Sequence, residues 1–92
     1  MERMLITAEL LDRNFERVNN DEFSDEPYWS RRGGNNDIVN LYTSEDEWLL
    51  TIEGTFAFRK GYLELYIKYV DELQQALDLF KVGMKVGEIF IY

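Results

Sequence analysis

Apolar and polar positions alternate with two different periods along this chain, and the changes of period mark its elements. Thr7 precedes Ala8-Glu9-Leu10-Leu11-Asp12-Arg13-Asn14, where Ile6, Leu10 and Leu11 form one apolar patch and Phe15 follows. This predicts a short helix. Thr7 is placed to accept a hydrogen bond from a free first-turn amide, and Glu9 suits the positive end of the helix dipole. Asn14 tolerates a left-handed backbone and can close the helix.

From residue 38 the period is two. Val39 and Leu41 alternate with Ile38, Asn40 and Tyr42, and Ser44-Glu45-Asp46 is a polar turn. Trp48, Leu50 and Ile52 share one face, with Leu49, Thr51 and Glu53 on the other. Arg59-Lys60-Gly61 suits a hairpin tip whose glycine is left-handed. Leu63, Leu65 and Ile67 then point one way, and Tyr62, Glu64, Tyr66 and Lys68 the other. This is the pattern of an antiparallel meander with one buried face.

The period changes again at Val70, Leu73, Leu77 and Phe80, which make one helical stripe with Ala76 beside it. Lys81 suits the negative end of that helix and Gly83 can stop it. Residues 61–80 also fit a single long helix, because Leu63, Tyr66, Ile67 and Val70 continue the stripe backwards. The aromatic and β-branched content before residue 70 favours strand then helix. Glu88-Ile89-Phe90-Ile91-Tyr92 reads as a last strand. Between the first helix and the meander, residues 19–37 hold the only proline, a Gly-Gly pair and two Asn-Asn pairs, so they read as a long loop. Within them Tyr28 and Trp29 can form a short edge strand.

The fold class that follows is α+β. An antiparallel sheet of four to five strands packs against one C-terminal amphipathic helix, and a short N-terminal helix covers an edge or end. Ninety-two residues suit one small domain, 1–92.

Composition narrows the chemistry. The chain has no cysteine and no histidine. That removes disulfides, thiolate and imidazole metal sites, and the commonest general base. No apolar run approaches the roughly 20 residues of a membrane helix. The start, MERMLITAELL, carries Glu2 and Glu9 and is unlike a signal peptide. The expectation is a cytoplasmic protein. A net charge of −8 repels nucleic-acid phosphates and argues against nucleic acid as a general partner.

The run IKYVDELQQALDLF, 67–80, followed by Glu88-Ile89, resembles a pattern in small uncharacterised proteins of gut-bacterial genomes and of their phages and mobile elements. ITAELLDRNF, 6–15, is similar to their opening helix. The resemblance covers about a quarter of the chain. Those proteins often carry histidine where Asp71 or Gln75 stands here, and Cys-Gly where Phe80-Lys81 stands. A role that depends on histidine or cysteine could not operate in this chain. The resemblance implies no known activity; it implies an accessory gene of phage type.

Four groups of residues could carry function. The carboxylates of Asp71, Glu72 and Asp78, and of Glu45, Asp46 and Glu47, would have to converge in a cleft to hold a metal or work as an acid–base pair. A solvated helix face and an acidic turn explain them more simply, so no catalytic, metal or cofactor residue is assigned. Two basic-aromatic clusters, Trp29/Arg31/Arg32 and Arg59/Lys60, could bind a nucleotide or single strand if they meet in space. The plainer account is a surface loop and a hairpin tip. Tyr42, Tyr62 and Tyr66 fall on one sheet face and form a contact surface of low entropic cost, or are simply β-prone residues half-buried under the N-terminal helix. The acidic segment Asp21-Glu22-Phe23-Ser24-Asp25-Glu26 could imitate a row of phosphates, or be a solvated loop.

The reading is a non-catalytic protein-interaction module whose partner is protein, either a second copy or a host protein. The candidate interaction surface is Tyr42, Tyr62, Tyr66, Trp29, Arg31 and Arg59. An acidic inhibitor that mimics nucleic acid, and a binder of nucleotides or single strands, are the alternatives.

Overall fold

The alternation from residue 38 onward forms a meander, and pairing extends it in the other direction. The computed structural model describes residues 3–19, 26–33, 37–56 and 59–80. Helix α1 spans Ala8–Asn14. Strands β1 Glu16–Val18, β2 Tyr28–Arg32, β3 Ile38–Ser44, β4 Glu47–Phe56 and β5 Arg59–Ile67 follow, and helix α2 spans Val70–Leu79. The five strands form one antiparallel sheet in the order β1-β2-β3-β4-β5. The class is therefore α+β, as the periods predict. The expected strand at 88–92 and the expected roles of Lys81 and Gly83 lie outside the described residues.

Thr7 caps α1 by accepting the Leu10 amide at Oγ1, 3.3 Å away. The exit differs from expectation. Phe15 is extended, with φ −123° and ψ 156°. Asn14 stays helical, and its Nδ2 donates to the Leu10 carbonyl at 3.0 Å. The side chain closes this turn, and the backbone does not turn left-handed. Glu45 is the one described non-glycine residue with positive φ, at 40°. It sits in the two-residue link between Ser44 and Glu47, which pair across β3 and β4.

At the β4–β5 hairpin, Phe56 pairs with Arg59 and Gly54 with Gly61. The reversal therefore comes before Arg59, and Gly61 lies inside β5 with no positive φ. Its lack of a side chain serves packing instead. A Cβ there would come within 3.3 Å of the Phe80 ring.

The ambiguous stretch 61–80 resolves as β5 followed by α2, with Tyr69 as the N-cap in extended conformation. Glu72 explains why the helix starts there. Its Oε1 accepts the amides of Lys68 and Tyr69, both at 3.1 Å, and so supplies the reciprocal half of a capping box. Arg3 braces the same turn. Its Nε donates to both oxygens of Asp71, at 3.2 and 3.1 Å, and its guanidinium lies 4.0 Å from the Tyr69 ring centre. The hydrogen bond to Asp71 raises the Arg3 pKa further above its ordinary value. Backbone bonds continue this strap: Ile6 donates to Lys68 O and Val70 donates to Met4 O, each at 2.9 Å.

Both helices lie over the same face of the sheet. Leu11 from α1 and Leu73, Ala76 and Leu77 from α2 join Trp29, Val39, Leu41, Leu50, Ile52 and Ile67 in one buried cluster. Each large side chain in it contributes about 1.5–3 kcal/mol. One expectation is corrected here. Leu65 shares the core face, yet it is 43% exposed, while Leu63 and Ile67 on either side of it pack in or against the core. Helix α1 packs at the β1 edge of the sheet, as expected, and sends Leu11 into the shared core; Trp29 Nε1 donates to Asp12 Oδ1 at 2.7 Å, and Trp48 Nε1 donates to the carbonyl of Ile6, just before the helix, at 3.0 Å.

One buried acid was not anticipated. Asp37 is 3% exposed, and its Oδ2 has no hydrogen-bond partner among the described residues. It lies against Gly54, where an added Cβ would fall 2.1 Å from Asp37 Oδ1.

Candidate functional site: the open face of the sheet

Because side chains alternate across a pleat, the register that fills the core also composes the other face. Three rows run across β2 to β5 there. The pairings put Tyr28, Tyr42, Leu49 and Tyr66 in one row and Ser30, Asn40, Thr51 and Glu64 in the next. The third row is Arg32, Ile38, Glu53 and Tyr62. The helices occupy the opposite face, so Tyr62 is 56% and Tyr66 55% exposed. Tyr28 and Tyr42 stack with ring centres 5.0 Å apart and planes inclined by 26°.

The aromatic row is a ridge between two open hollows. One, of about 420 Å³, is lined by Ser44, Glu45, Asp46, Glu47, Tyr66 and Lys68. The other, of about 320 Å³, is bounded by Asn40, Tyr42, Leu49, Thr51, Glu53, Tyr62 and Glu64. In the second hollow Tyr62 donates its hydroxyl to Glu64 Oε2 at 2.9 Å. That hydrogen bond, followed by desolvation and the Glu64 charge, raises the Tyr62 pKa above its ordinary 10.0. Asn40 has a covered Oδ1 without a hydrogen-bond partner.

The structure brings three of the six candidate interaction residues together: Tyr42, Tyr62 and Tyr66 share this face. They are not under α1. Trp29 is corrected outright, since it is 2% exposed on the covered face and packs edge-on to Trp48 at 5.4 Å. Strand β2 is also not an edge, because β1 pairs with it outside. Arg31 lies on the same side as Trp29, where its Nη1 donates to the Asn14 carbonyl at 3.2 Å. Arg32 points to the open side. Arg59 and Lys60 open β5, and their side chains lie outside the described part. Two strands intervene between the basic-aromatic clusters, a backbone separation of about 14 Å.

Asp71 and Glu72 serve the strap and the α2 cap. Among the described residues no group of three or more acidic side chains is disposed to hold a metal. Of the acidic segment 21–26, only Glu26 is described, and its Oε2 accepts from Thr43 Oγ1 at 2.5 Å. No helix among the described residues is long and apolar enough to cross a membrane.

Leu49, Thr51, Glu53 and Glu64 complete the site around the tyrosines. Their alternation is legible in the sequence, but only the strand register places them side by side. Set against known proteins, the chain matches no family model, no curated protein and no solved structure.

Proposed function

We propose that this chain is a non-catalytic interaction module that docks a protein partner on the open tyrosine face of its sheet. One observation carries the reading: both helices cover the same face, and the other exposes Tyr62 and Tyr66 beside a stacked tyrosine pair. Tyrosine gives large contact area with few rotors to freeze, which favours association. The resemblance of 6–15 and 67–80 to small phage and mobile-element proteins supports an accessory role in the cytoplasm. The nucleotide-binding alternative loses its stacking platform, because the Trp29 ring is enclosed.

The test uses the tagged full chain for affinity capture from its native host, together with light scattering for self-association. The double variant Tyr62→Ala/Tyr66→Ala removes two exposed rings and the Tyr62–Glu64 hydrogen bond, so it should keep a cooperative melt. Loss of a retained partner, or of a dimer, in that variant supports the proposal. Retention and oligomeric state both unchanged by the double variant would overturn it.

A further inference from the structure

We infer that the open face recognises an extended basic segment of a protein partner, with arginine or lysine side chains about four residues apart. This rests on the reading of that face as a docking surface and names the chemistry of what docks. The sign of the charge selects the occupant. Glu45, Asp46, Glu47, Glu53 and Glu64 line the two hollows, and among the described lining residues Lys68 is the one cation, with Arg32 at the far end of the third row. Among the described residues neither Glu53 nor Glu64 has an ion-pair partner. The Tyr62 hydroxyl donates to one oxygen of Glu64. A cation entering there meets carboxylates and tyrosine rings together. That combination suits guanidinium well, because it stacks on aromatic faces and forks onto carboxylates.

Geometry sets the spacing. Glu47 marks the first hollow and Thr51 the second, four residues apart on β4. Four residues of strand span about 13 Å, so an extended segment lying along β4 delivers one cation to each hollow when the two lie about four positions apart. The ridge of Tyr42, Leu49 and Tyr66 between the hollows receives the methylene stems of those side chains. A second copy of this chain would bring the same five carboxylates and a net charge of −8 against them. Nucleic acid would meet the same repulsion.

The probes are synthetic Gly/Ser decapeptides carrying two arginines four residues apart, two adjacent arginines, or two glutamates four residues apart. Each is titrated into the isotope-labelled full chain and followed by backbone amide shifts. The expected result is binding of the spaced-arginine peptide with shifts at Tyr42, Leu49, Thr51 and Glu64. Affinity should fall about tenfold in Glu53→Gln/Glu64→Gln and decline with added salt. The adjacent-arginine peptide should bind more weakly, and the acidic peptide not at all. Absence of shifts, shifts confined to the helical side, or equal affinity for the acidic peptide would overturn the inference. The two readings fail separately. If Tyr62→Ala/Tyr66→Ala abolishes partner capture while Glu53→Gln/Glu64→Gln leaves it intact, docking stands and the basic segment falls. If the tyrosine pair has no effect on capture or oligomeric state, docking itself falls.

Discussion

Leu50 and Leu49 are neighbours on one strand and live in different surroundings. Leu50 is enclosed between Leu41 and Leu65 under the helical roof, whereas Leu49 lies half-buried on the open side between Tyr42 and Tyr66. The contrast repeats along β4, where Ile52 is buried and Glu53 exposed. The two-residue period thus puts the fully buried Leu50 and Ile52 of β4 on one face, while the open face mixes exposed Glu53 with a buried Thr51. A substitution on either side can then be read without disturbing its neighbour.

The strongest way to break this division is Leu77→Asp. Leu77 has no exposed surface, and an unpaired carboxylate there costs more than the roughly 5–15 kcal/mol that holds such a domain together can tolerate. The expected outcome is loss of the cooperative melt by circular dichroism; a near-native transition would refute the core assignment. A paired measurement sharpens the comparison. Leu50→Ala should cost about 2–5 kcal/mol in denaturant unfolding and Leu49→Ala about 1 kcal/mol or less. Equal losses would mean that the open face is itself a second core.

Gly54→Ala comes next. Its Cβ would collide with the buried Asp37 carboxylate, for an expected loss of about 1–3 kcal/mol. Gly61→Ala should cost less, because only the edge of the Phe80 ring must yield. The smallest effect belongs to the open face. In Glu64→Gln the Tyr62 titration should move down toward 10.0, as read by ultraviolet difference spectra. The sign for stability is fixed by the raised folded value: folded Tyr62 holds its proton more tightly than the unfolded chain. Its contribution is thus present below pH 10.0 and lost as pH rises above it, through the folded value. An unchanged titration in the variant would show that the hydrogen bond is not what holds Tyr62.

The faces of β3, β4 and most of β5 were legible because each carries a clean contrast between neighbours, as in Val39 against Asn40. Strand β1 was not. Glu16-Arg17-Val18 has no alternation of its own and is a strand only because Tyr28, Trp29 and Ser30 pair with it. Trp29 misled for a related reason. Beside two arginines and two glycines it resembled a loop aromatic, whereas in a strand it alternates away from Tyr28 into the core. Leu65 misled in the opposite sense, since its parity is right but it stays 43% exposed. Asp37 could not be found at all in a run of turn-forming residues, because its burial depends on a glycine seventeen positions later. The tyrosines of the candidate site were legible by parity, and their acidic neighbours became a site only through register.

The strap joining residues 3–6 to 68–70 fixes an order of events during translation. Every neighbouring pair of strands is also consecutive along the chain, so each can zip as it leaves the ribosome. Residues 3–6 must wait for a partner made more than sixty positions later. At elongation speeds of about 5–20 residues per second, that is an interval of about 3–13 s. Until it ends, Ile6 and Leu11 have an unfinished roof to pack into.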